Sequence, residues 1–126
     1  SEMCIRDRSC IMRFFEPSEQ RLRKCGVVEV SSEDLVLGME EKPSEPRSHW
    51  CCPPFYYYTR KDASLISAGI TAGCGTDAPG SYIAWLSTQT PVHAMEMPGH
   101  RYDIGNLESY HTVCEQYDGI QPTATK

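Results

Sequence analysis

Two tetrapeptides carry the side chains best suited to chemistry: Glu40-Glu41-Lys42-Pro43, and Tyr102-Asp103-Ile104-Gly105 near the far end of the chain. A strand sends alternate side chains to opposite faces. At such a strand end Glu41 can accept hydrogen bonds from hydroxyl groups, while Lys42 meets a phosphate as a compact point charge. Taken alone, the first tetrapeptide reads better as a solvated strand end. Asp103 falls at a strand end, with Gly105 opening the next helix. That arrangement suits Mg²⁺, which keeps several waters and takes one or two carboxylates plus substrate phosphates. The competing account of an isolated Asp-x-Gly is a carboxylate bonded to nearby backbone amides.

The elements that must position these residues follow from pattern. Residues 27–30 are a short apolar strand, and Ser31-Ser32-Glu33-Asp34 is a turn-forming polar cluster. Residues 35–41 return, so a β-hairpin ends at Glu41. Pro43 and Pro46 bracket a loop reaching Trp50, with Cys51 and Cys52 also on a loop. After Pro53-Pro54, the aromatic run 55–59 predicts a strand buried on at least one face. Ala63, Ile66 and Ile70 predict a helix over 61–72, closed by Gly73. Asp77 and Pro79 suit the start of a second helix, with Tyr82, Ile83 and Leu86 inward and Trp85 beside them. Residues 91–97 predict a strand of undetermined register. Leu107, Tyr110, Val113, Cys114 and Tyr117 share one face of a final helix, capped by Asn106. Strands alternating with helices after a hairpin imply an α/β layered fold with a mixed sheet.

At 126 residues the chain is one domain or a piece of one. With 40% hydrophobic and 23% charged residues it has a globular rather than a disordered composition. No apolar run approaches the roughly 20 residues that span a bilayer, and a net charge of -5 disfavours nucleic acid. Seven cysteines are an odd number, two of them adjacent, with no Cys-x-x-Cys pair. A disulfide scaffold and a zinc site are therefore both disfavoured. Nothing reads as a secretory signal, so reduced, mostly buried thiols in the cytoplasm are expected. His49 with Cys51 and Cys52 lacks the further ligands of a tetrahedral soft-metal site. No Ser-His-Asp ordering or Gly-x-Ser-x-Gly elbow supports acyl transfer.

Cys25-Gly26-Val27-Val28-Glu29-Val30, one hairpin before Glu40-Glu41-Lys42-Pro43, and then Arg101-Tyr102-Asp103-Ile104-Gly105-Asn106-Leu107-Glu108-Ser109-Tyr110, occur in an order with a known counterpart. In that order the chain resembles the C-terminal half of a sugar-1-phosphate nucleotidyltransferase of the glucose-1-phosphate thymidylyltransferase type. The resemblance covers residues 25–117. It implies a Rossmann-like nucleotidyltransferase fold with a mixed sheet, incomplete because the N-terminal nucleotide-binding half, with its glycine-rich loop, is missing. It also implies that Gly26, Glu41 and Lys42 bind the sugar 1-phosphate, that Lys42 and Asp103 are catalytic, and that Asp103 ligates Mg²⁺. The partners implied are a sugar 1-phosphate and a nucleoside triphosphate, with neither nucleic acid nor membrane; a homo-oligomer is compatible. In the expected division of the chain, 1–8 resembles a translated sequencing-adapter peptide and 9–24 is an irregular link. Residues 25–119 are then the half-domain and 120–126 a flexible tail. The expected function is that of an enzyme fragment, inactive alone, whose parent makes a nucleotide-diphosphate sugar and pyrophosphate. The other functional class is a non-catalytic α/β sugar-phosphate-binding or regulatory module.

Overall fold

The computed structural model describes residues 7–99, 101–117 and 119. Of the adapter-like segment 1–8, residues 1–6 lie outside them, as does the tail 120–126. The fold is built around β1 (Ser9–Phe15), a strand paired along both edges. On one side run β4 (Trp50–Cys52) and β5 (Tyr56–Tyr57), antiparallel, with Phe14 opposite Cys51 and Ile11 opposite Tyr56. Pro53 and Pro54 separate these two short strands because proline cannot donate to a ladder. On the other side β6 (Val92–Glu96) runs parallel, with Ile11 opposite Ala94. The hairpin of β2 (Gly26–Val30) and β3 (Val36–Glu41) joins through β2 to β4, giving the order β3-β2-β4-β1-β5 with β6 on the far edge of β1. An isolated bridge between Leu35 and His93 draws the β3 end of this path toward β6, so the mixed sheet curls into an open half-barrel.

Residues 9–24 are therefore not an irregular link. They hold the central strand and a one-turn helix, α1 (Glu19–Leu22), capped by the Ser18 side chain. Arg13 hides β1 from a pattern reading, because a cation in mid-strand argues for an exposed edge. Its guanidinium is instead held inside the fold through Nη1 and Nη2, while Nε is buried without a hydrogen-bond partner. Nη1 donates to the Ala94 carbonyl at 2.5 Å, Nη2 reaches Asp34 at 2.9 Å, and the group lies 4.5 Å from the Trp50 ring centroid. Cys51 and Cys52, expected on a loop, belong to β4. The aromatic run 55–59 supplies only the two residues of β5.

The helix expected over 61–72 is two, α2 (Arg60–Ala63) and α3 (Ile66–Thr71). Ala63, Ile66 and Ile70 are exposed rather than inward. Thr59 caps the start of α2 by accepting from the Asp62 N–H at 3.1 Å, and the break comes at its end, where the Leu65 N–H donates to the Asp62 carbonyl at 3.1 Å in place of an i→i−4 bond. Gly73 does close α3, at φ +95°. The helix α4 (Gly80–Gln89) lays Ile83 and Leu86 on the sheet against Ile11, Val28, Val36, Val92 and Ala94. The register of β6 is thereby fixed, with Val92 and Ala94 inward. On the opposite face of the sheet Leu22, Val27 and Cys51 form a smaller cluster. The last helix, α5 (Leu107–Gln116), starts in a capping box made by Asn106 and Ser109 and has no buried residue.

A buried polar knot ties the start of β1 to the helices. The Ser9 hydroxyl donates to the Asp62 carboxylate at 2.5 Å and accepts the Thr59 N–H at 3.1 Å, while the Tyr82 hydroxyl donates to the Asp62 carbonyl. Ser9→Ala leaves a buried carboxylate short of a donor. It is expected to lower unfolding stability by about 1.5–3 kcal/mol in urea denaturation. Ser64→Ala, at an exposed hydroxyl, is expected to stay within about 0.5 kcal/mol of the parent.

Candidate functional site

A cleft of about 960 Å³ opens where the ends of β1, β2, β3, β4 and β6 meet the start of α5. Strand register decides what enters it. Gly26 stands opposite both Glu41 and Cys52, so these three share the face of the sheet that α4 covers. Val27 stands opposite Cys51, which puts Cys51 on the other face. The segment after β6 is drawn back over this region because the Met97 N–H donates to the Arg13 carbonyl at 2.7 Å, extending the β1–β6 ladder. Gly26, Glu41 and Asp103 consequently line one cleft, although 62 positions (103 less 41) separate the two acids.

Glu41 is held by shape. A Cβ on Gly26 would come within 2.7 Å of the Met39 methyl and 3.3 Å of Glu41 Oε1. A Cβ on Gly80, at the first turn of α4, would overlap the same carboxylate. The acid thus fits between two glycines, close to a helix N-terminus whose unsatisfied N–H groups favour negative charge. Lys42 follows at φ +47°, its N–H donating to the Cys25 carbonyl at 3.0 Å. Its side chain is exposed and outside the lining of the cleft.

Asp103 is 75% exposed at its side chain, and Arg101 lies 3.4 Å from its Oδ2. Arg101 lines the cleft and packs 4.9 Å from the Phe14 ring centroid. Its proximity to Asp103 follows from local spacing, but its seat over Phe14 needs the return of the chain after β6. Gly80 and Arg101 are the site residues that pattern reading misses. Gly80 has no sequence signal beyond a helix start.

Burial sets the acidity of the groups around Glu41. The Cys52 thiol is pushed up to about 12 by burial first and by the nearby Glu41 charge second, and burial also raises the Tyr56 hydroxyl. Both are neutral polar surface at physiological pH. Across the cleft, Glu16, Glu41, Glu96, Asp103 and Glu108 outnumber Arg21, Lys24 and Arg101. A phosphate entering this site meets more negative than positive charge, so a divalent cation would balance it. Asp103 fits that role: it is exposed, and Mg²⁺ takes its remaining shell from water and substrate phosphate. Among the described residues no group of three or more His, Cys, Asp or Glu could hold a metal without such help.

By sequence, residues 5–119 match the nucleotidyl transferase family. The chain belongs to that family. No curated protein matches the sequence in a direct comparison. Among solved structures, the family fold recurs in a protein assigned as a glucose-1-phosphate thymidylyltransferase of Bacillus anthracis, solved with sucrose. It has a TM-score of 0.64 and 19% identity, over 93% of this chain and 46% of that one. It recurs in a UTP-bound UGPase of Acinetobacter baumannii, with a TM-score of 0.67 and 20% identity, over 87% of this chain and 39% of that one. A UDP-glucose pyrophosphorylase complexed with UDP-glucose gives a TM-score of 0.69 and 20% identity, over 87% and 44%. The chain thus spans less than half the length of each structure, as a partial domain of this fold would.

The two-glycine seat of Glu41 generates a prediction. At an unobstructed first helical turn, Gly→Ala is favourable by roughly 0.5–1 kcal/mol. In Gly80→Ala the new methyl must displace the tips of Glu41 and Met39, both flexible side chains. The fold is therefore expected to survive with stability within about 1 kcal/mol of the parent, while the Glu41 carboxylate leaves its position. Carbon-detected NMR of the Glu41 carboxyl, with a parallel melting curve, reads both effects. An unchanged carboxyl signal would show that the glycines do not seat it.

Proposed function

We propose that this chain forms the sugar-phosphate side of the active site of a sugar-1-phosphate nucleotidyltransferase. The whole protein would join a nucleoside triphosphate to a sugar 1-phosphate, releasing a nucleotide-diphosphate sugar and pyrophosphate. The observation that carries this reading is the convergence of Gly26, Glu41 and Asp103 on one cleft in a chain of the nucleotidyl transferase family. The neighbours solved with UTP and with UDP-glucose support ligands of these two classes.

Glu41 accepts hydrogen bonds from sugar hydroxyls, and Gly26 leaves room for the sugar to approach the backbone. Lys42, from the rim, and Arg101, from within the cleft, supply positive charge to the sugar phosphate. An oxygen of that phosphate attacks the α-phosphorus of the nucleotide, and pyrophosphate leaves. The attacking phosphate is already ionised, so no general base is required, and these residues act by positioning and charge neutralisation. Asp103 would hold Mg²⁺, which when bound supplies charge stabilisation on the transferring phosphate. The thiols of Cys51 and Cys52, which form no disulfide, favour a reducing compartment, the cytoplasm. No helix of the described residues is long and apolar enough to cross a membrane.

Two measurements test this. The 126-residue chain is expected to bind glucose 1-phosphate more tightly than glucose in calorimetry, and to release no pyrophosphate when a nucleoside triphosphate is added. Absence of any preference for the phosphorylated sugar would count against the reading. In the longer parent protein, Asp103→Asn is expected to lower kcat far more than it raises KM for the sugar phosphate. Lys42→Ala is expected to act mainly on KM, because its charge meets ground state and transition state alike. Glu41→Gln is expected to alter discrimination among sugars by about 1–3 kcal/mol. Normal turnover and normal Mg²⁺ dependence in Asp103→Asn would reduce that residue to an ion-pair partner of Arg101.

A further inference from the structure

Two thiols in the wall of the cleft have no part in the chemistry above. Cys25 immediately precedes β2, and Cys51 lies in β4 opposite Val27. Residues two apart on a strand share a face, so Cys25 and Cys51 are diagonal neighbours across the β2–β4 pair. Both pack in the small cluster with Leu22 and Val27, both line the cleft, and neither is in a disulfide. Cys52, one residue on, faces the other way into the main core. The adjacent pair Cys51-Cys52 is therefore split between faces, and the partner of Cys51 is the distant Cys25.

The β2–β4 pairing and the shared cluster set the two side chains beside each other, and the Cys25 thiol donates to the Leu22 carbonyl at 3.6 Å. The neighbouring Cys51 thiol is the main cause that lowers the pKa of Cys25 from its ordinary value, with Arg101 also lowering it; burial, Glu16 and Glu41 oppose that shift. The neighbouring Cys25 thiol and burial raise Cys51. Cys25 is thus the more acidic of the two thiols and Cys51 the less acidic. Cys25 is part-exposed at the cleft and accessible to a small reagent, whereas Cys51 is 1% exposed.

We propose that Cys25 and Cys51 are a redox-active dithiol that a low-molecular-weight disulfide, such as oxidised glutathione, closes into an intramolecular bond in the cleft wall. The Cys25 thiolate attacks one sulfur of the reagent and expels one thiolate, leaving a mixed disulfide on Cys25. Cys51 then attacks the Cys25 sulfur as its own proton is lost, and the S–S bond to the reagent breaks to release the second thiol. One reagent disulfide is reduced to two thiols while two cysteine thiols are oxidised to one disulfide. Closure draws the start of β2 toward β4 beside Gly26. The Lys42 N–H holds the Cys25 carbonyl at 3.0 Å, so closure is carried by the Cys25 side chain and the turn before it.

The test is peptide mapping of the folded full chain by non-reducing mass spectrometry after incubation with oxidised glutathione. Cys114, which is exposed, reports that the reagent is active. The expected result is a cross-linked species joining the peptides that contain Cys25 and Cys51, reversed by dithiothreitol. Cys25→Ser is expected to abolish the cross-link while keeping the melting temperature. Cys51→Ala, checked for folding by circular dichroism, is expected to stop at a glutathione adduct on Cys25. Modification of Cys114 with Cys25 and Cys51 both still alkylatable would overturn the proposal. So would a stable glutathione adduct on Cys25 in the parent chain, or an intramolecular cross-link that persists in Cys25→Ser.

Discussion

Pairing along both edges of β1 is the constraint on which the rest of the structure depends. A strand flanked on both sides must satisfy every backbone group within the sheet, and its side chains must be covered on both faces. Antiparallel β4 and β5 do this on one edge and parallel β6 on the other. The cost is Arg13, a cation in a nearly buried position. The fold offsets it with a carbonyl from β6, a carboxylate from the β2–β3 turn and the face of Trp50. Those three partners come from three separate parts of the chain, so Arg13 also acts as a clamp between the hairpin, β4 and β6. Asp34 takes part at φ +63°, and its carbonyl accepts the Ala94 N–H at 2.8 Å, closing the half-barrel on that side.

The cleft inherits its geometry from this arrangement. The β1–β6 ladder aims the chain back across the sheet, which brings Arg101 over Phe14 and Asp103 into the cleft lining. The β2–β4 pairing brings the end of the hairpin, and with it Glu41, beside the same opening. Glu41 needs no dedicated hydrogen-bond partner to be held there. It is enclosed by the absence of side chains at Gly26 and Gly80 and lies at the start of α4, where the helix dipole favours an anion. The excess of carboxylates over cations in the cleft then bears on its ligand. On the proposed function, an anionic sugar phosphate would enter only with compensating positive charge, from Arg101, from Lys42 and from a divalent ion.

The local elements of the fold were legible in the sequence wherever chemistry and pattern agreed. The hairpin ending at Glu41 was visible from its turn residues, the capped start of α5 from Asn106, and the inward face of α4 from Ile83 and Leu86. Elements that exist through partners far away in sequence were not. A central strand containing serine, cysteine and arginine has no alternation to betray it, and β4 is three residues long. The spacing of Ile66 and Ile70 matched a core-facing helix, yet both are exposed. Periodicity reports which residues share a face and not which face is covered.

The sequence by itself determined the family and the residues of interest, because Gly26, Glu41, Lys42 and Asp103 stand in short motifs whose order is itself informative. It also determined the α/β class, through strands alternating with helices. Only the tertiary structure decided which of those residues meet. Register placed Gly26 against Glu41 and Cys52, and the return of the chain after β6 brought in Asp103 and Arg101. Lys42, at φ +47°, is exposed and is not among the residues that line the cleft. Cys25 and Cys51, 26 positions apart (51 less 25) and without a motif, became neighbours through a strand pairing. The physical reason is that motif chemistry is carried by adjacent residues, whereas pairing and packing are set by contacts whose partners no local window contains.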